Sequence, residues 1–562
     1  MRVLNEFRFD NLRGDLFGGV TAAIIALPMA LAFGVASGAG PAAGLYGAVL
    51  VGLFAALFGA TPTLISEPTG PMTVIMTAVI ANLIAVNPDQ GMAMAFTVVM
   101  MAGLFQVVFG ILKLGHYVTM MPYTVISGFM TGIGLIMIIL QLGPFLGHAP
   151  PPGGVLGTLE NLPSLLRGIQ PAETALAIFS FALIVLFPKR LARFTPPQLL
   201  ALVLGTVLSV MFLADADIRR IGEIPTGLPD IQMPVFSAQQ WSMMLIDALV
   251  LALLGSIDAL LTSVIAENMT RKEADANKEL VGQGAGNLVS GLFGGLPGAG
   301  ATMGTVLNIK TGGRTALSGL VRAGILLVVV LWAAELTAQI PLAVLSGIAF
   351  KVGFDIIDWS FLRRARVVSH KTAWIMYGVI GLTVFVDLIT AVAIGVFIAN
   401  LLTIERMTKI QGESVKAIDR PDPSNKLNRD ECLLLQQAQG KVLVFTLHGA
   451  LIFGLAKVIS RRFAVLDSHE VLIIDFHEVP VLGVSSSLAL EDMILNDLEA
   501  GRPVYIAGAS EQVKERLEKL GVLKKVNPEH VLDSLEAALR EANRYLEEKG
   551  TASAAKLPGA SV

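Results

Sequence analysis

The residues of this chain whose types and spacing could do chemistry are one aspartate inside an apolar segment and two Gly/Pro-broken segments that carry threonines. Asp258 stands in Leu253-Leu-Gly-Ser-Ile-Asp258-Ala-Leu-Leu-Thr262-Ser-Val, eleven residues past Asp247 and nine before Glu267. A carboxylate at the centre of a spanning helix opposes insertion by about 3 kcal/mol on translocon scales, so such acids face a polar cavity or a partner. Thr262, four residues on, shares the helix face and adds a hydroxyl oxygen. A carboxylate, hydroxyls and the loose carbonyls of a Gly-rich break suit a hard cation such as sodium. A proton carrier, and a carboxylate hydrogen-bonded to backbone for structure, are the other readings of the same residues.

The broken segments are Glu67-Pro68-Thr69-Gly70-Pro71 and Gly298-Ala299-Gly300-Ala301-Thr302, at the same relative place in two halves of the chain. Adding 232 takes Asp15 to Asp247, Thr69 to Ala301 and Val74 to Val306. Paired breaks of this kind point to the substrate site of a secondary transporter, because each lets a helix begin in mid-membrane. Two loops in a membrane bundle without a channel are the plain alternative. Helix starts at Thr69 and Ala301 would each carry roughly half a positive charge and unpaired N–H donors, enough for a small anion. No Arg or Lys is expected nearby. Thr69 and Thr302 add hydroxyl donors, and Pro71 is tolerated in a first turn because it needs no N–H. Gly70, Gly300 and Gly304 permit close approach of backbone to a ligand, although Gly is also common packing material in membrane helices.

The elements that must position these residues are membrane helices. Over 562 residues the chain is 54% hydrophobic and 15% charged, with a mean hydropathy of +0.69. No charge occurs from 16 to 66, 68 to 88, 90 to 112 or 117 to 159, and a span needs about 20 apolar residues. Spans are predicted at 14–37, 42–60, 69–87, 92–112, 118–146, 171–188, 196–213, 241–267, 280–293, 301–310, 314–335, 341–354, 372–387 and 388–406. Lys/Arg clusters fall on alternate connections if the N-terminus is cytoplasmic, with Arg167 and Arg219/Arg220 as exceptions. Fourteen spans put both termini inside. A second match, Pro122 to Phe129 against Pro341 to Ile348 at an offset of 219, supports a 7+7 division, and seven spans per half force an inverted repeat. Residues 1–13 read as a cytoplasmic cap, 14–408 as the transmembrane domain, 409–440 as a charged linker, 441–549 as a small α/β domain and 550–562 as a disordered tail. The single cysteine, Cys432, excludes a disulfide framework and a Cys-based metal site. Scattered His residues give no metalloenzyme, the balance of charge suggests no nucleic-acid partner, and no catalytic constellation or cofactor motif is present.

Three further charged sites have expected roles. Glu67 would repel an anion at Thr69 if ionised beside it, so it is expected to cap backbone donors or pair with a core cation. Asp387 reads as a turn residue at the membrane edge, and Lys351 with Asp355 as a structural i,i+4 pair.

Over nearly its full length the chain resembles the SulP family of anion transporters. Pro41-Ala-Ala-Gly-Leu-Tyr46-Gly looks like that family's signature near the second span, and the C-terminal α/β region (441–549) looks like its STAS domain. Gly14-Asp-Leu-Phe-Gly-Gly-Val-Thr-Ala-Ala, Thr61-Pro-Thr-Leu-Ile-Ser-Glu-Pro-Thr-Gly-Pro-Met-Thr, Ile257-Asp-Ala-Leu-Leu-Thr-Ser-Val and Gly298-Ala-Gly-Ala-Thr-Met-Gly-Thr resemble the BicA-type subgroup of sodium/bicarbonate symporters. The resemblance implies a UraA-like core and gate and elevator-like movement past a dimerised scaffold. It also implies sodium beside Asp258, Thr262, Gly300 and Gly304, with bicarbonate at Thr69, Ala301 and Thr302; Gly70, at the first helix start, joins the anion set. In STAS domains that carry a phosphorylated serine, the motif is Asp-Ser-Ser-Gly; here the stretch reads Gly483-Val484-Ser485-Ser486, which replaces the acceptor by Val484 and favours a dimerisation and regulatory role. The expected function is sodium-dependent bicarbonate uptake across the cytoplasmic membrane by a homodimer. Sulfate or dicarboxylate uptake with proton coupling is the alternative within the class, and a passive anion channel or signalling scaffold the alternative outside it.

Overall fold

The computed structural model describes residues 5, 9–118, 122–188, 196–213, 216–222, 229–332, 337–386, 388–413, 415–422, 427–449, 451, 458–459 and 469–554. The chain divides into two units, Met1–Ala399 and Asn400–Val562.

In the first unit, glycine and proline set the helix boundaries. Helix α1 (Leu12–Ser37) ends where Gly38 takes the left-handed conformation, φ 80°, and α2 (Pro41–Phe58) begins on a proline whose missing N–H costs nothing at that position. A two-residue strand, β1 (Ser66–Glu67), leads into α3 (Gly70–Val86) and α4 (Gly91–Ile111). The short α5 (Gly115–Val118) precedes α6 (Tyr123–Phe145), α7 (Gly154–Glu160), α8 (Leu162–Arg167), α9 (Pro171–Leu186) and α10 (Pro197–Phe212). The second half follows with α11 (Trp241–Thr270), α12 (Ala276–Leu292), strand β2 (Ala299–Gly300), α13 (Thr302–Lys310) and α14 (Leu317–Trp332). Helices α15 (Leu342–Ile356), α16 (Trp359–Val368) and α17 (His370–Phe385) follow, and α18 (Leu388–Glu413) begins in this unit and continues into the second. Each predicted span overlaps one of these helices. Among the described residues, five of them, α1, α2, α4, α6 and α11, are long and apolar enough to cross a membrane. Helix α13 is only nine residues, about 14 Å at the α-helical rise, which is half of a bilayer core.

Strands β1 and β2 pair antiparallel, Ser66 with Gly300 and Glu67 with Ala299. Unwound backbone cannot stay unpaired in apolar surroundings, and this two-residue ladder satisfies both breaks at once. The N–H of Ala301 also donates to the Ile65 carbonyl at 2.8 Å, and the N–H of Ile65 to Thr305 Oγ1 at 3.0 Å. The pairing brings the starts of α3 and α13 side by side. Elsewhere the plain reading of glycine holds: a Cβ on Gly103 of α4 would meet the Leu288 N at 2.3 Å, and one on Gly284 of α12 the Gly103 carbonyl at 2.5 Å, so these two helices touch backbone to backbone.

The second unit has a five-stranded sheet in the order β3 (Val415–Ile418), β4 (Val442–His448), β5 (Val471–Glu478), β6 (Val504–Ala507) and β7 (Val531–Leu532). Strand β3 is antiparallel to β4; the other pairs are parallel. Helices α19 (Arg429–Gln437), α20 (Val484–Glu499), α21 (Glu511–Lys519) and α22 (Leu535–Ala554) accompany the sheet. Two expectations are corrected here. Residues 409–440 are not merely a linker, since α18 runs to Glu413, β3 forms a sheet edge with Val415 and Ile418 buried, and α19 starts in a capping box between Asn428 and Glu431. The region 550–562 is not disordered from its start, because α22 continues to Ala554. The expected turn at Asp387, most of the cap at 1–13 and most of the expected helix near 455–463 lie outside the described residues.

Candidate functional site

Helices α3 and α13 both open from extended residues, Thr69 (φ −112°, ψ 160°) and Ala301 (φ −87°, ψ 107°), and no side chain caps either start. Their first-turn N–H groups therefore remain available, and the positive ends of two dipoles converge. Helix α11 passes alongside. Thr69 Oγ1 donates to Asp258 Oδ2 at 2.8 Å, while Thr262 Oγ1 donates to the Gly300 carbonyl at 2.8 Å and lies 3.0 Å from Thr302 Oγ1. One helix thus links the two broken segments through its acid and, one turn later, its hydroxyl.

These groups face a cavity of about 700 Å³. Six of the predicted residues, Thr69, Gly70, Asp258, Gly300, Ala301 and Thr302, form part of its wall. Thr262, fully buried, sits behind the wall and reaches it through its two hydrogen bonds. Gly304 is not on the wall; a Cβ there would meet Ile65 Cγ2 at 3.1 Å, so its open side faces the backing segment instead. The rest of the wall is mainly apolar, including Ile25, Met29 and Phe33 of α1 and Val352 and Ile356 of α15. Low-polarity walls strengthen the field of the few polar groups within them.

Gly300 is held closely by its neighbours. A Cβ there would meet Thr262 Cβ at 3.0 Å, Ala259 Cα at 3.1 Å and Leu64 Cδ1 at 3.2 Å. Gly300→Ala is therefore expected to push Thr262 off the Gly300 carbonyl and lower transport by roughly 10-fold, the scale of one lost hydrogen bond. Uptake per folded molecule, normalised to the monodisperse fraction, checks this; an unchanged rate would show that the close approach is not required.

Behind the wall lies a charged group that sequence reasoning missed. Arg322 of α14 is fully buried, and its Nη2 donates to Glu67 Oε2 at 2.5 Å. Its Nη1 donates to the carbonyls of Ala48 at 2.9 Å and Ser66 at 3.0 Å. Glu67 does pair with a core cation, as its sequence position suggests, although it also lines the cavity beside Thr69. The expectation that no Arg or Lys lies nearby is wrong: Arg322 holds β1, and Lys310 of α13 lines the cavity itself. Arg322 is the single charge of an otherwise apolar helix, which by itself is a signal of function or partnership. Two buried amides on α12 complete the support. Asn287 clamps Gly298 with both ends, its Nδ2 to the carbonyl at 2.9 Å and its Oδ1 to the N–H at 2.7 Å, and Gln283 Nε2 donates to Ser66 Oγ at 2.6 Å. Lys351 and Asp355 form the expected ion pair on α15, with Asp355 also on the cavity wall.

Two helix starts that open from broken segments and meet at a buried acid, inside a bundle of membrane helices, define a secondary transporter. The sulfate permease family model matches residues 12–379 and a STAS domain model residues 435–538, so the chain belongs to the sulfate permease family, as a multi-pass membrane transporter with a C-terminal STAS domain. It is 62% identical to the bicarbonate transporter BicA of Synechocystis sp. over 542 residues, 96% of each chain. The solved transmembrane domain of a cyanobacterial bicarbonate transporter BicA matches 69% of this chain and all of that one, with 68% identity and a TM-score of 0.66. At 19% identity the structure of SLC26A9 still superposes with a TM-score of 0.81 over 97% of this chain and 92% of that one, which shows the fold alone.

Proposed function

We propose that this protein imports bicarbonate by symport with sodium across the cytoplasmic membrane, moving its ion site by an elevator-like alternation within a homodimer whose termini are cytoplasmic. The observation that carries this reading is the Thr69–Asp258 hydrogen bond, because it ties a candidate anion donor to a candidate cation ligand. Sodium at Asp258, with oxygens of Thr262 and the Gly300 break, neutralises the carboxylate and competes for the oxygen that holds the Thr69 hydroxyl. Thr69 is then free to donate to an anion seated on the N–H groups of Gly70, Thr302 and the helix starts. The anion is nearly neutralised by two dipoles and the sodium by Asp258, so the loaded site crosses with little net charge, whereas half-loaded states are penalised. The relatives' bicarbonate chemistry selects the anion.

Counterflow in proteoliposomes tests the class of mechanism. Vesicles preloaded with unlabelled bicarbonate are expected to take up labelled bicarbonate several-fold faster than unloaded ones, with external sulfate competing weakly. A rate independent of internal bicarbonate would indicate a channel, and equal competition by sulfate would remove the assigned substrate.

A further inference from the structure

Resting on the bicarbonate reading above, we infer that Gln198, at the start of α10, is a specificity residue that recognises a protonated oxyanion. It is on the wall of the same cavity as the two broken segments, and the residue is only 6% exposed. Its Nε2 donates to Met303 Sδ at 3.8 Å, and Met303 directly follows Thr302. A thioether is a weak acceptor, so a deeply seated amide donor is left largely unsatisfied beside the candidate anion-binding threonine. The preceding residues, Pro196 and Pro197, have no N–H to offer, so at this helix start the carboxamide is the polar group presented to the cavity. From α15 the wall contributes Val352, Ile356 and the carboxylate of Asp355, which is already engaged with Lys351.

A carboxamide offers one donor and one acceptor at fixed separation. Bicarbonate offers their complement, a carboxylate oxygen that accepts and a hydroxyl that donates. Met303 is half exposed and unbranched, so its displacement by an anion is cheap. Sulfate near neutral pH has four accepting oxygens and no proton, and would leave the carboxamide oxygen facing an oxyanion. The helix starts and hydroxyls around Thr69 and Thr302 are donors that suit both anions; Gln198 supplies the acceptor that separates them. A site built to pair a substrate hydroxyl discriminates strongly against analogues lacking it.

The test compares the full-length protein with Gln198→Met and Gln198→Leu, both of similar volume, in reconstituted vesicles with labelled bicarbonate as substrate and sulfate as competitor. Both variants are expected to lose about 10- to 100-fold in kcat/KM for bicarbonate while the inhibition constant of sulfate changes less than about 3-fold, so the preference collapses. Two variants keep the result readable if one fails to fold. Wild-type protein that prefers bicarbonate, with variants that keep this preference or weaken both anions equally, overturns the role of Gln198 alone. Wild-type protein that does not transport bicarbonate overturns the reading beneath it.

Discussion

Asp258→Asn is expected to lower sodium-driven bicarbonate uptake by about 100-fold and to remove its dependence on sodium concentration. Asp258 is buried, belongs to the middle of α11, lines the cavity with Thr69 and Gly300, and accepts from Thr69. Loss of one partner from a desolvated charge pair costs 2–5 kcal/mol or more, and about 2.7 kcal/mol corresponds to 100-fold. Folding should survive, because the asparagine oxygen still accepts from Thr69 and a buried charge has been removed. Uptake against sodium concentration, measured on variants with wild-type elution in size exclusion, checks this. Full sodium-dependent uptake in the variant would mean that the cation binds elsewhere. A wild-type protein driven equally by a proton gradient in the absence of sodium would assign Asp258 to proton transfer.

Disruption of the Glu67–Arg322 pair has a large effect of a different kind. Both groups are buried, and Arg322 also holds the Ala48 and Ser66 carbonyls. Removing one partner of a buried ion pair costs about 3–5 kcal/mol because the other is left uncompensated, whereas replacing both is often nearly neutral. Arg322→Met and Glu67→Gln are each expected to lower the melting temperature in detergent by roughly 5–10 °C. The double variant should recover a large part of that loss, though not all, since Ser66 and Ala48 lose a donor. Thermal unfolding of the four proteins forms the cycle. Additive losses in the double variant would show that the two residues do not act as a pair.

The contrast between Asp258 and Arg322 explains what was legible in the sequence. Asp258 and Thr262 are four residues apart on one helix, and the two breaks are duplicates at a fixed offset, so local periodicity and internal repetition locate them. Their juxtaposition was expected from an inverted repeat, and the two breaks do pair, Ser66 with Gly300 and Glu67 with Ala299. Arg322 meets Glu67 across 255 positions, through packing that no local pattern encodes, although its isolation in an apolar helix offered a hint. Asn287 and Gln283 were hidden for the same reason: they read as polar residues of a weakly apolar helix until the strands they brace are in place. Strand β3 was masked by the charged residues around it, because only pairing with β4 makes Val415 to Ile418 an edge. The divergence of the halves was visible in sequence as well. Ala26 and Ala30 stand 232 positions before Asp258 and Thr262, so at the offset that matches the two helix starts only the second half carries the acid.

The most direct measurement is a paired flux of labelled sodium and labelled bicarbonate in the same proteoliposomes. With an inward sodium gradient, both labels are expected to enter in a fixed ratio, and bicarbonate should accumulate above its external concentration. Replacement of sodium by potassium should abolish that accumulation. Bicarbonate that accumulates equally in potassium, or enters without stoichiometric sodium, would contradict coupling through Asp258.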